Sequence, residues 1–188
     1  MAHSGESKSS VRPWKITSSG EEEDFQIFRI RRDVAVSPRT GESHQRVVVL
    51  TPDWVNVVAI TPDAQVVMVE QYRHGISSVT LELPGGLIEA GESPVEAGLR
   101  ELREETGFVG VDPQPLGSAH PNPAYFSNQC HFVVVQDAVQ IGALQQDSGE
   151  DIALRCVPLA DIPRLIERGG ITHAVMIAAF YFLGLHGV

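Results

Sequence analysis

Five short β-rich runs stand in this chain before its first strong helix signal, an order that argues against a repeating βαβ array. The runs are Phe25 to Ile30, Asp33 to Val36, Gln45 to Leu50, Val55 to Thr61 and Gln65 to Gln71. Turn material such as Pro38-Arg39-Thr40-Gly41 and Thr61-Pro62-Asp63-Ala64 separates them. The helix that follows is sharply specified. Ser93 supplies an N-cap hydroxyl, Pro94 takes the first helical position, where a missing N–H costs nothing, and Glu96 can close a capping box. Val95, Leu99 and Leu102 form one apolar stripe, and Gly107 stands where a left-handed residue would end the helix. Further strands are predicted over Phe108 to Val111, His131 to Gln136 and Ile152 to Pro158, and helices over Leu159 to Arg168 and Thr172 to Leu185. Strands surrounding a few helices in this order predict an α+β chain, an α/β sandwich around a mixed sheet, with antiparallel strands before it.

The helix from Ser93 carries an acidic face. Glu101 and Glu105 are four apart and Glu104 is three from Glu101, so the carboxylates share one side, read as roughly opposite the stripe of Val95, Leu99 and Leu102. Like charges at this spacing repel, and more strongly as water is excluded. Two reliefs are open. Arg100 and Arg103 can pair with neighbouring acids, or a hard divalent cation, Mg²⁺ or Mn²⁺, can bind the carboxylates and bridge them to phosphates. The preceding segment favours the second. Leu81 to Glu92 is a strand end, a glycine turn and a compact loop, in which Gly85 and Gly86 let backbone approach a ligand closely.

From Gly86 to Phe108 the chain reads GLIEAGESPVEAGLRELREETGF. Gly, five residues, Glu, seven residues, Arg-Glu, an aliphatic residue, any residue, Glu-Glu, any residue, Gly and a hydrophobic residue is the pattern of the Nudix box, met here at every defined position. So many positions at fixed spacing make a specific signal. The chain therefore resembles the Nudix hydrolases. The box covers 23 of 188 residues, but Trp14-Lys15, Asp53 to Ala59, Gln71-Tyr72-Arg73-His74, Leu81 to Gly86, Pro121 to Ala124 and the ending from Gly149 to Phe182 also look like one branch, which cleaves ADP-ribose and other nucleoside diphosphate sugars.

The resemblance implies a Nudix-type α/β/α sandwich and Mg²⁺-dependent hydrolysis of a pyrophosphate bond, giving a nucleoside monophosphate and a sugar phosphate. It makes Glu101 and Glu105 the principal metal ligands, Glu104 a further carboxylate, and the Gly85 carbonyl a possible completion of one coordination sphere. Gly86 and Gly107 are structural positions of the box, and Glu92 and Arg100 hold loop and helix in register, Arg100 as a salt-bridge partner. Glu82 is expected near the metals or near Arg73. Arg73 suits a phosphate or the terminal sugar, with an ion pair to Glu70 or Glu82 as the alternative. The general base of the branch lies on a loop after the box, where Glu150 ranks first, Asp147 second, and Asp151 is also acidic; activation of water by a box glutamate stays open. Pro121 to Tyr125, with Pro123 shaping it, is expected to discriminate substrates, and Tyr125 or Phe126 to stack on a base. His74, His120, His131 and His173 show no metal-ligand spacing and read as polar or packing residues.

A formal net charge of −10 argues against sequence-independent binding to nucleic acid or anionic lipid. The charge is local: seven glutamates and two arginines between Glu82 and Glu105, with the four acids of 21–24, account for nine of the ten negative charges. Cys130 and Cys156 have no paired spacing and read as reduced thiols. The N-terminus has no apolar signal region, and Ala174 to Leu185 is too short to span a bilayer, reading instead as a buried helix; the expected location is cytoplasmic, without membrane attachment. The domain reading is a flexible segment 1–13, N-terminal strands 14–50 that form a dimerisation region of an expected homodimer, and a Nudix domain 51–188. The first two dozen residues are expected to be loose apart from a strand at Trp14 to Thr17. Two alternatives accompany this: a Nudix hydrolase of dinucleoside polyphosphates or another nucleoside diphosphate derivative, and a sensor that binds nucleotide sugar without cleaving it.

Overall fold

A computed structural model describes residues 11–144 and 151–187. The chain divides into two compact units. One comprises the described residues up to Thr51 together with Ala124–Ser127, and the other comprises Pro52–Pro123 and the described residues from Asn128 onward.

The first unit is a three-stranded antiparallel meander of β1 (Lys15–Asp24), β2 (Arg29–Val36) and β3 (Ser43–Leu50). Two sequence expectations change here. The acidic run is not loose: Glu21 to Asp24 is strand, and its carboxylates face arginines of the neighbouring strand, with Glu22 paired to Arg29 and Arg31 and Glu23 to Arg32. Opposite charges across a strand pair offset the self-repulsion that made the run look unstructured. The predicted runs at Phe25 to Ile30 and Asp33 to Val36 become a single strand that begins at Arg29, after a turn closed by the Phe25 amide on the Phe28 carbonyl. Residues 124–127 attach to the meander through Val49, whose amide donates to the Tyr125 carbonyl at 2.8 Å.

The second unit is built on a seven-stranded mixed sheet of β4 (Trp54–Ile60), β5 (Gln65–Arg73), β6 (Ser78–Glu82), β7 (Gly85–Leu87), β8 (Phe108–Ala119), β9 (Cys130–Gln140) and β10 (Ile152–Pro158). The main order is β10-β5-β4-β9-β8, with β6 added to β5 and β7 to β4; only β4 and β9 run parallel. β4 is buried from Val55 to Ile60, apolar but for Asn56, as expected of a strand covered on both faces. The period of two along β9 sorts the core into two layers. Phe132 and Val134 pack with Val58, Met68, Met176, Ala179 and Leu183, whereas Val133 and Val135 pack with Val55, Val57, Ala97 and Leu102. The first layer lies under α3 (Ala174–Leu185) and the second under α1 (Pro94–Thr106), which makes the predicted α/β/α sandwich.

Helix α1 follows its sequence signals closely. The Ser93–Glu96 capping box is present, Pro94 occupies the first turn, and Gly107 ends the helix at φ 70°. Elsewhere the elements run longer than local patterns suggest. β8 has 12 residues, not the four predicted, and carries Pro113 and Pro115 because it is an edge strand with register shifts that absorb them. Leu159 to Arg168 resolves into a 3₁₀ turn, Leu159–Asp161, and α2 (Ile162–Glu167). The C-terminal helix buries Val175, Met176, Ala179 and Leu183 but leaves Ile177, Tyr181 and Leu185 exposed, so it is buried on one face only. Among the described residues no helix is long and apolar enough to cross a membrane.

Candidate active site

Two short strands carry the chain into the acidic helix: β6, of which local patterning gives only the end at Leu81 and Glu82, and β7, which it reads as a glycine turn. β7 is only three residues long and lies antiparallel on β4, with Gly85 opposite Asn56 and Gly86 opposite Val55. Its glycines are required by close approach. A Cβ at Gly85 would stand 2.0 Å from the Val55 carbonyl oxygen, and one at Gly86 would stand 2.4 Å from Glu101 Oε1. The space that a side chain would fill at Gly86 is therefore taken by the Glu101 carboxylate. The Gly85 amide donates to Glu105 Oε2 at 2.9 Å.

Glu105 is buried, along with Ala97, Gly98, Leu102 and Thr106 of the same helix. This corrects the expectation that the carboxylates lie opposite the apolar stripe. Glu105 follows Gly98 by seven residues, two helical turns, and so shares its inward face; Val95 and Leu99 flank the core and are only partly buried. The helix turns one carboxylate inward against the β7 backbone and leaves Glu104 toward solvent.

Arg100 ties the box together. Its Nε and Nη2 donate to the two oxygens of Glu92 at 2.9 and 3.1 Å, its Nη1 donates to Glu101 at 2.8 Å and Glu104 at 3.2 Å, and Nη2 also donates to the Leu87 carbonyl at 3.1 Å. One guanidinium thereby joins β7, the loop and the helix. The hydrogen bonds to Glu92, and then those to Glu101 and Glu104, hold Arg100 firmly in its charged form; the same contact keeps the Glu92 carboxyl below its ordinary range. Of the two reliefs open to the acidic face, pairing with Arg100 is present in the structure.

A second polar hub stands beside the first. Glu82, almost fully buried at the end of β6, accepts from Arg73 Nε at 2.9 Å and Nη2 at 2.7 Å, from Thr80 Oγ1 at 2.5 Å, and lies 3.2 Å from His173 Nδ1. Burial pushes the Glu82 carboxyl up, but the hydrogen bonds from Arg73, His173 and Thr80 outweigh it and hold the group well below the carboxylate range. Glu82 thus lies against Arg73, and Glu70 pairs with Arg155 instead. Thr80 and His173 were not singled out for this site by sequence patterning. His173 is 91 residues from Glu82, a separation over which spacing rules carry no signal.

The second hub lines a cleft of about 320 Å³ in the second unit, with Arg73, Glu82 and His173 among its lining residues together with Trp54 and Met176; β7, which carries the contacts of Glu101 and Glu105, lines it through Gly85, Gly86 and Leu87. Met176 Sδ accepts the Leu83 amide at 3.1 Å, which ties a cleft residue to the chain leading into β7, and Asn56 Nδ2 donates to Cys130 Sγ at 2.9 Å, from β4 to β9. Burial pushes the Cys130 thiol up to about 12, which leaves it inert as a nucleophile at neutral pH.

The remaining sequence candidates fall elsewhere. Pro123 is an exposed loop residue, Tyr125 is exposed and belongs to the first unit, and Asp147 and Glu150 lie outside the described residues. Among the described residues no three His, Cys, Asp or Glu side chains already stand as a ready metal-ligand group. The donor chemistry nevertheless suits a hard divalent cation: carboxylates only, with Glu101 packed on Gly86 and Glu105 on the Gly85 amide, so that both reach the same short strand.

The model of the NUDIX domain matches residues 50–180. The chain belongs to the Nudix hydrolase family. This Nudix protein is 32% identical over 146 residues, 77% of its own length and 79% of the relative's, to a methanol dehydrogenase activator of Bacillus methanolicus. It is 32% identical over 164 residues to an ADP-ribose pyrophosphatase of Mycobacterium tuberculosis, covering 86% of this chain and 78% of that one. A solved structure described as an ADP compounds hydrolase superposes with a TM-score of 0.81 at 27% identity, over 94% of this Nudix chain and 95% of its own.

Proposed function

We propose that this Nudix enzyme hydrolyses the pyrophosphate bond of a nucleoside diphosphate sugar, ADP-ribose or a nucleoside diphosphate hexose, with Mg²⁺ as cofactor and Mn²⁺ as a possible substitute. The products are a nucleoside monophosphate and a sugar phosphate. The observation that carries this reading is the meeting of Glu101 and Glu105 on Gly85–Gly86 at the edge of a cleft that also presents Arg73. The likeness to a protein named ADP-ribose pyrophosphatase and to a structure named ADP compounds hydrolase supports the substrate class.

Glu101 and Glu105 would hold the metal, with Glu104 beside them. When bound, the ion supplies charge neutralisation at the phosphates and a lowered pKa for attacking water. The chain's own residues do the rest. Arg100 fixes helix and loop so that the carboxylates stay in place when they exchange its N–H groups for other partners. Arg73 spends two of its five N–H donors on Glu82 and brings the others to the diphosphate, which places a fixed cation where negative charge collects. Glu150 and then Asp147 are the candidates for the general base.

A homodimer is part of this proposal, supported by the apolar surface of the first unit, where Trp14, Ile16, Phe25, Ile27 and Val47 are exposed. Sedimentation at several concentrations tests it, and a monomer throughout would count against it. For the activity, the test is product analysis after incubation with ADP-ribose, GDP-mannose, UDP-glucose and diadenosine polyphosphates, each with Mg²⁺. Faster turnover of a nucleoside diphosphate sugar than of any polyphosphate is expected, and the reverse order would overturn the assignment.

A further inference from the structure

The Glu82 carboxylate is saturated. An ionised carboxylate accepts at about four lone-pair sites, and Arg73 Nε and Thr80 Oγ1 use Oε1 while Arg73 Nη2 and His173 Nδ1 use Oε2. Glu82 therefore has nothing left to offer a ligand or a cation. What it does is orient the two side chains around it. An ionised carboxylate has no proton to give, so the hydrogen between Glu82 and His173 is carried by Nδ1, the tautomer whose lone pair is on Nε2. His173 itself lines the cleft, beside Arg73 and Glu82. Among the described residues nothing bonds Nε2. The backbone beneath it is pinned, because the His173 carbonyl accepts the Met176 and Ile177 amides at the start of α3.

A ring-nitrogen acceptor of this kind, on a side chain 39% exposed, suits an O–H donor and is unsuited to a phosphate oxygen, whereas Arg73, held on the same carboxylate, suits the phosphate. An acceptor and a cation tied to one carboxylate meet ligand groups that are close neighbours. In a sugar phosphate the hydroxyls stand a few bonds from the phosphate. A cleft of 320 Å³ is also near the lower end for small-molecule sites, about 300 to 1,000 Å³, and suits half of a nucleoside diphosphate sugar better than the whole. We infer that His173 Nε2 accepts a hydrogen bond from a hydroxyl of the substrate's sugar-phosphate half, making the Arg73–Glu82–His173 cluster the subsite that reads the sugar. This rests on the proposed substrate class and adds the residue that selects within it.

Two measurements test it. ¹⁵N chemical shifts of the His173 imidazole in the free protein at neutral pH should show a protonated Nδ1 and an unprotonated Nε2; the opposite tautomer would overturn the inference, and this readout needs no substrate. The second compares ADP-ribose with the methyl ester of ADP, which keeps base and diphosphate but lacks the sugar. His173→Asn keeps a donor for Glu82 and removes the distal acceptor. The variant should raise KM for ADP-ribose about tenfold, the scale of one lost hydrogen bond, with kcat little changed and with the methyl ester handled as by the unsubstituted enzyme. An equal loss on both substrates would mean that His173 supports the fold or touches the other half, and would overturn the subsite. A melting temperature matched to the unsubstituted protein shows that the variant folds. If the unsubstituted enzyme cleaves neither compound, the proposed function fails, and the tautomer result still stands by itself.

Discussion

The Gly85 amide donates to Glu105 Oε2 at 2.9 Å, so a glutamate in the buried face of α1 ends on the backbone of a three-residue strand. This contact sets the position of one carboxylate by main chain, not by a flexible partner. Glu105→Gln keeps an oxygen acceptor for the amide but removes the charge. It should lower kcat by about 100-fold or more, in the range for loss of a major electrostatic group, while the melting temperature stays within a few degrees. Steady-state kinetics with a thermal melt checks both. Unchanged turnover would remove Glu105 from the metal site.

The two glycines of β7 should fail in different ways. At Gly86 an added methyl meets the Glu101 carboxylate, the far end of a side chain that can swing, so Gly86→Ala should fold but lose most of its activity. At Gly85 the methyl meets the Val55 carbonyl and the Asn56 backbone, which cannot swing. Gly85→Ala should cost about 1–3 kcal/mol of stability by overpacking. Urea unfolding of the two variants separates the cases, and equal stability losses would contradict the packing described.

Glu82 predicts a component of acid sensitivity. Its folded-state pKa lies below the ordinary value of 4.5, so the stability it contributes is fully present above that value and is lost as pH falls toward the folded pKa. The melting temperature should therefore fall below about pH 5. Glu82→Gln should be less stable at neutral pH and show a shallower acid decline, because its carboxyl no longer binds a proton on unfolding. Parallel slopes for the two proteins between pH 6 and 3 would exclude Glu82 as a source.

Arg100 should resist conservative replacement. Lysine can reach one carboxylate but cannot span Glu92, Glu101 and Glu104 with a planar fork. Arg100→Lys should destabilise by about 1–2 kcal/mol, and combining it with Glu92→Gln should cost less than the two separate losses together. A double-mutant cycle by denaturant unfolding gives the coupling, and strict additivity would mean that the pair does not hold the loop.

Legibility in the sequence followed the range of the interactions. The start and end of α1 were readable because Ser93, Glu96, Pro94 and Gly107 act within one turn of the residues they cap. The same helix misled where the question was which side faces inward, since Gly98 and Glu105 face the core through contact with strands far away in sequence. β7 was invisible as a strand: three residues, two of them glycine, have no strand propensity, and its pairing is supplied by β4. The acidic run of β1 looked unstructured because its counter-charges, Arg29, Arg31 and Arg32, come from the next strand.

The sequence by itself determined the family, the acidic helix with its caps, and the glycines before it, because each is a local pattern of residue types at fixed spacing. Only the tertiary structure decided that Glu105 is buried on Gly85, that Arg100 joins three glutamates, and that Glu82 is spent on Arg73, Thr80 and His173. These are choices among partners. A carboxylate's partner depends on which donors the fold brings within 3 Å or so and which it leaves to water, and strand pairing and helix packing settle that only when residues far apart in the chain meet.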